Sequence, residues 1–409
     1  MEGEVVGRIQ RRWFVGFVAV VVFLAAVVAG MPMKGQADGV VWPAPPHLTT
    51  PSAVLMDAAT GQILYEKGAD DKRYPASMTK MMTLYLTFEA IHDGKAHLDD
   101  IVPISQNAYN TGGSEVYLDP REKFTLKDMI TFVAVHSAND AAVAIAEYVG
   151  GSVGQFVKRM NEKAQELGLT HTHFVNPDGL HDPNHYTTAR DMAVLARDLI
   201  TKYPEVLDYT KIHDMWIRNH TFDVSATNNL LGKYPGMDGL KTGFTDQAGY
   251  CLTATAQQGG VRLISVIMKD PDDQSRQKDT TALLDYGFKN FTPLPLLKPG
   301  DPLDVKAEVP DGVIESLSVT TQVPLAPLVP EGTKADALVR TVEWTPGLKA
   351  PVAQGQQVGT VSYRLGDQQL LQLPLYALEK DDKAGFIRMM FRGLIHFVTG
   401  AVESVFKRL

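Results

Sequence analysis

Apolar residues recur at three- and four-residue intervals over about 77–92, 125–134, 138–149, 152–167, 187–201 and 274–290. That spacing lines one face of a helix. Elsewhere the pattern tightens into short apolar runs. SAVLMD (52–57) and QILYEK (62–67) flank the turn AATG, and GYCLTATA (249–256) and VRLISVIMK (261–269) meet at Gly259-Gly260. These predict strand pairs with tight connections. Strands at both ends of a helical middle predict an α/β (α+β) domain, an antiparallel sheet flanked by helices.

The rhythm changes at TPLPLLKPG, residues 292–300. Beyond it, GVIESLSVTT, ALVRTVEW, QQVGTVSYRL and QQLLQLPLYAL alternate with turn residues. They predict a small all-β sandwich at about 300–378. The last stretch, 383–409, repeats polar residues at Arg388, Arg392, His396, Thr399, Glu403 and Lys407 around a wide apolar face. After a finished β domain, this predicts an amphipathic helix lying in the plane of a membrane, too interrupted by charge to span it, with a helix docked on the protein's own core as the alternative. At the other end, Arg8, Arg11 and Arg12 precede the uncharged run Trp13–Gly30, and Gly35-Gln36-Ala37 offers a small-residue cleavage site. This is the order of a secretory signal, with an uncleaved anchor as the alternative. The expected organisation is a signal peptide at 1–37, a first folded domain at 38–291, the β-sandwich at 300–378 and the anchoring helix at 383–409. The expected place is outside the cytoplasm, peripheral on the outer face of the cytoplasmic membrane.

Composition is that of a globular chain, 44% apolar and 21% charged. A net charge of −8 argues against nucleic acid as a partner. One cysteine, Cys251, allows no internal disulfide and reads as a small buried residue.

Three short stretches carry candidate chemistry. In PASMTKMM, Ser77 and Lys80 are three apart at the start of a helix, so both side chains share one face. A serine hydroxyl becomes a nucleophile when a neighbour accepts its proton, and a lysine whose pKa is lowered by burial can do so. Helix capping by Ser77 is the competing role. In HSANDAA, Ser137 offers a second hydroxyl and Asn139 an amide, again where a cap would sit. In GLKTGFT, Lys241 brings charge, Thr242 a hydroxyl for a carboxylate, and Gly243 close backbone approach beside a strand edge.

Together and in this chain order, S-x-x-K, S-x-N and K-T-G resemble the low-molecular-mass penicillin-binding proteins, the serine-type D-alanyl-D-alanine carboxypeptidases. The resemblance implies a β-lactamase/transpeptidase-like catalytic domain. It further implies that Ser77 attacks the carbonyl between two terminal D-alanines and that Lys80 takes its proton. Ser137 and Lys241 return a proton to the departing D-alanine, and Asn139 holds the substrate backbone. The N–H groups of Ser77 and Phe244 form the oxyanion hole. Thr242 and Arg276 bind the terminal carboxylate. The implied partners are the peptidoglycan pentapeptide stem as substrate and β-lactams as inhibitors, with no cofactor. The middle motif reads Ser-Ala-Asn where relatives carry Ser-Gly-Asn or Ser-Asp-Asn. Phe244 stands where many carry His, which leaves only its backbone a role. Asn176–Leu180 and Thr187–Asp191 also resemble the family and read as structural. His171, His173, His181, Asp182 and His185 are close in sequence, but H-E-x-x-H is absent and no metal is expected. A β-lactamase, a peptidoglycan endopeptidase and a non-catalytic cell-wall-binding or β-lactam-sensing protein are the alternatives. The first lacks an E-x-x-x-N signature between residues 150 and 240, and intact Ser77, Lys80, Asn139 and Lys241 argue against the last.

Overall fold

The computed structural model describes residues 41–392. The segment expected to be a signal peptide and residues 393–409 of the expected anchor lie outside them. The strands, in chain order, are β1 (Ser52–Asp57), β2 (Ile63–Lys67), β3 (Ile101–Val102), β4 (Phe124–Thr125), β5 (Asp214–Ile217), β6 (Phe222–Ser225), β7 (Met237–Thr245), β8 (Gly249–Gln258) and β9 (Val261–Asp270). The helices are α1 (Lys80–His92), α2 (Gln106–Tyr109), α3 (Leu126–Val135), α4 (Asn139–Gly150), α5 (Val153–Glu166), α6 (Ala189–Lys202), α7 (Val206–Thr210) and α8 (Asp273–Asn290).

The main sheet is antiparallel, in the order β2-β1-β9-β8-β7. Side chains alternate across it with period two. Val54, Met56, Ile264, Val266 and Met268 enter one core with α1, α3 and α4. Ala53, Leu55, Leu263 and Ile267 enter a second core with Leu283 and Leu284 of α8. Both faces are covered, so the central strands read as continuous apolar runs. Helix α1 is buried almost all round, as an interior helix must be. Capping fixes where its neighbours start. Thr125 and Asp128 form a capping box on α3, and Thr188 accepts the Asp191 N–H at the start of α6. No serine caps α1 or α4: Thr79 and Ala138 stand at their N-caps without side-chain capping bonds. The capping roles for Ser77 and Ser137 therefore fail, and both hydroxyls are left for other work.

The C-terminal strands are β10 (Phe291–Pro293), β11 (Lys306–Glu308), β12 (Ser316–Thr320), β13 (Leu328–Pro330), β14 (Leu338–Trp344), β15 (Gln357–Leu365) and β16 (Gln368–Ala377). They form a sheet β11-β12-β16-β15-β14 and a smaller pair β10-β13, a sandwich-like domain. The proline-rich 292–300 segment is not a bare break, because β10 runs into it and pairs with β13. Gln62 joins the two domains. Its side-chain amide donates to Leu328 O at 2.8 Å and accepts the Leu328 N–H at 2.7 Å, imitating one more rung of a ladder.

Candidate active site

Ser77 lies in a short 3₁₀ turn, Ala76–Thr79, that leads directly into α1. Ala76 sits in the left-handed region at φ +48°, a strained conformation for a non-glycine residue, which places Ser77 at the helix mouth. Strand β7 presses against this turn. A Cβ on Gly243 would stand 2.7 Å from Pro75 O, so only glycine lets the two backbones meet. On another side, a Cβ on Gly179 would stand 1.9 Å from Ala76 O, and Gly179 itself has φ +88°. Asn176 Oδ1 accepts the Gly179 N–H at 2.7 Å and Asp178 Oδ1 accepts the Leu180 N–H at 2.8 Å, folding the N-P-D-G-L loop tightly there.

These elements converge on Lys80. Its Nζ is 2.9 Å from Ser77 Oγ, 2.6 Å from Asn139 Oδ1 and 2.6 Å from the Asp178 carbonyl. Two of those neighbours only accept hydrogen bonds. A neutral amine must spend both N–H groups on them, and its lone pair then faces Ser77 Oγ. Lys80 is fully buried, and that loss of hydration pulls its pKa down to about 8, against the pull of the Asp178 and Asp140 carboxylates. Asn139 is fixed in turn: its Nδ2 donates to Gly112 O at 2.7 Å.

Lys241 is also buried, and burial, then the Lys80 and Arg276 charges, hold its pKa well below the ordinary range. Its Nζ donates to Thr242 O at 3.1 Å. Among the described residues the Ser137 hydroxyl, although buried, has no hydrogen-bond partner, and Ser137 has φ +64°.

A cleft of about 470 Å³ opens above this cluster, lined by Ser77, Ser114, Ser137, Thr227, Asn229, Thr242, Gly243, Phe244, Tyr250, Asp273 and Arg276. Lys80, Asn139 and Lys241 sit behind its wall. Thr242 Oγ1 is 2.5 Å from Thr227 Oγ1. Arg276 is held by the Cys251 carbonyl at 3.3 Å and by an ion pair with Asp273, and its Nε has no partner among the described residues. Phe244 is half exposed and packs on Tyr250, with ring centroids 4.4 Å apart. The structure thus brings every sequence-predicted residue to one cleft or its wall. Sequence reasoning missed the Asp178 carbonyl, which binds Lys80 from a loop read as structural, and missed Thr227, Ser114 and Asn229. The asparagine, aspartate and glycine of that loop were the available signal; the other three carry none.

The histidine cluster turns to structural ends. His185 Nε2 meets Thr79 Oγ1 at 2.8 Å in the interior, and His173 Nδ1 meets Asn184 O at 2.7 Å. Among the described residues no group of three or more ligating side chains converges to hold a metal. Cys251 is buried, and its thiol is pushed up to about 11, chiefly by that burial.

A nucleophile–lysine pair at a helix mouth, facing a strand edge across a narrow cleft, defines the class of acyl-transferring serine enzymes with a penicillin-binding-protein fold. Residues 40–272 match the family model described as D-alanyl-D-alanine carboxypeptidase, and residues 291–383 match the C-terminal domain of penicillin-binding protein 5. The D-alanyl-D-alanine carboxypeptidase DacF of Bacillus subtilis is 38% identical over 344 residues, 83% of this chain and 88% of that one. The solved structure of penicillin binding protein 5 from Haemophilus influenzae superposes with a TM-score of 0.73 at 35% identity, over 83% of this chain and all (100%) of that chain. Penicillin-Binding Protein D2 from Listeria monocytogenes, solved in its ampicillin-bound form, matches with a TM-score of 0.56 at 32% identity, over 60% of this chain and 100% of that one. The chain belongs to the D-alanyl-D-alanine carboxypeptidase family and is an enzyme of the serine-peptidase type.

Proposed function

We propose that the chain removes the terminal D-alanine from peptidoglycan pentapeptide stems through an acyl-Ser77 intermediate. The observation that carries this reading is the buried Lys80 amine, 2.9 Å from Ser77 Oγ. Ser77 Oγ forms a bond to the carbonyl carbon between the two D-alanines, and its proton goes to Lys80 Nζ. The carbonyl oxygen gains negative charge and takes hydrogen bonds from the Ser77 and Phe244 N–H groups. The C–N bond then breaks. The proton held by Lys80 reaches the departing nitrogen through the Ser137 hydroxyl, with Lys241 beside that path. Asn139 holds the stem backbone, and Thr242 and Arg276 hold the terminal carboxylate. Water attacks the ester and frees Ser77. A β-lactam enters by the same first step, but its cleaved nitrogen stays tethered. Loss of the last D-alanine removes the donor for cross-linking, so the enzyme limits wall cross-linking.

The same reading places the enzyme outside the cytoplasm, exported by residues 1–37 and held peripherally on the membrane's outer leaflet by residues 383–409. Phe386 (82% exposed), Ile387 and Phe391 turn apolar side chains to solvent at the start of that segment, which supports an in-plane anchor. Among the described residues no helix is long and apolar enough to cross a membrane. The test of the activity is release of D-alanine from a pentapeptide stem. It is expected from the intact chain and lost in Ser77→Ala and Lys80→Ala. Release that survives either substitution overturns the mechanism. For the anchor, a chain ending at residue 382 should leave the membrane pellet and keep its activity; continued pelleting refutes it.

A further inference from the structure

A second cleft, of about 700 Å³, opens at the edge of the main sheet away from β7. It is lined by β2, by Trp42 and its neighbours, by Tyr286 of α8 and by the first residues of β16. Strand β2 ends the sheet order, so its outer backbone groups have no ladder partner among the described residues. Trp42, Tyr65 and Tyr286 are held in place by packing: Tyr65 meets Tyr286 edge-on at 6.3 Å, and Phe291 supports Tyr286 at 5.3 Å and Trp42 at 6.1 Å. Gln368 and Gln369 add two amides, and Glu66 a carboxylate whose Oε2 already accepts from Arg190 at 2.9 Å.

Fixed aromatic faces beside a few hydrogen-bonding groups suit a ligand with an apolar face and a polar rim. A pyranose ring has both. An N-acetyl group adds an N–H and C=O pair of the kind a free strand edge accepts. We propose that this cleft binds the N-acetylated glycan strand of peptidoglycan. The proposal rests on the function above, which makes that polymer the substrate. Edge strands β2 and β7 are separated by β1, β9 and β8, about 19 Å at ~4.8 Å per step. A fully extended pentapeptide reaches only about 17 Å. A stem whose end lies at Ser77 is spent before the cleft, so the cleft takes the carbohydrate that carries stems and keeps the enzyme on the polymer between turnovers.

The test titrates the Ser77→Ala chain with a tetramer of N-acetylglucosamine. Binding is expected to saturate and to weaken about tenfold in Tyr65→Ala and in the double variant Gln368→Ala/Gln369→Ala, whose residues are exposed on the fold's surface. With Ser77 intact, the double variant should lose about fivefold in kcat/KM on polymeric peptidoglycan and release D-alanine from a free pentapeptide as the parent does. No saturable binding, equal binding by all variants, or displacement by an unglycosylated peptide that adds to the β2 edge would overturn the proposal. The free-pentapeptide assay reports the active site separately, so failure there speaks against the enzymatic reading and not against the cleft.

Discussion

The rate at which Ser77 is acylated should follow the titration of one lysine. Lys80 has its pKa drawn from 10.5 to about 8 by burial. At pH 7 an amine of pKa 8 is free base in about 9% of molecules, against about 0.03% at the ordinary value. Burial therefore raises the population of free base at pH 7 about 300-fold, and the weaker basicity of that amine returns part of the gain. A depressed pKa means the base forms as pH rises, so activity climbs through pH 8 instead of falling. The assay is the single-turnover rate of penicillin acylation, which isolates the first step from hydrolysis of the ester. The rate should rise about tenfold from pH 7 to pH 9 on a one-proton curve with its midpoint near pH 8. Asp178→Asn removes a carboxylate that favours the charged amine, so the midpoint should move down. A rate independent of pH over this range, or a midpoint near 10, would refute the claim that Lys80 is the base. So would an unchanged profile in Lys80→Ala.

Three further outcomes follow from the geometry. Gly179→Ala places a Cβ 1.9 Å from Ala76 O at a left-handed backbone position, and should cost at least about 2 kcal/mol in urea unfolding and slow penicillin acylation. Arg276→Ala should raise KM about tenfold or more for a peptide ending in free D-alanine, the worth of one charge-assisted pair, and leave an amidated peptide unaffected. His185 is pulled down to about 4, mainly by burial and then by His173. The unfolded chain takes that proton first as pH falls, so stability should drop by about 3 kcal/mol between pH 6.5 and 4, and His185→Gln should remove the slope in urea midpoints.

Much of this architecture is legible in the chain itself. The long helices fell at their expected places because their apolar spacing is strong and their ends carry caps, Thr125 and Thr188 among them. The strands β1, β8 and β9 were readable because burial on both faces leaves dense apolar runs. What escaped was short or local. Helices α2 and α7 and the β5–β6 ribbon span four or five residues each, too few for a period to show. Strand β10 hid in a proline-rich segment because it is an edge pair. In the site, residue types and spacing pointed to Ser77, Lys80, Ser137, Asn139 and Lys241, since each side chain has a chemistry of its own. The Asp178 contribution is a main-chain carbonyl, which no side-chain pattern announces. Thr227 Oγ1 lies 2.5 Å from Thr242 Oγ1 because the loop leading into β7 folds back beside that strand, which no residue pattern shows. The expected Arg276 role carries an addition from the structure: Asp273 already engages that guanidinium, so a substrate carboxylate must compete with it.

The most direct test of the central claim is the intact mass of the purified protein after brief exposure to penicillin, beside Ser77→Ala. The account predicts a gain of one whole penicillin, mapped to the peptide containing Ser77 and absent from the variant. A folded protein that gains no mass, or an adduct that persists in Ser77→Ala, would contradict it.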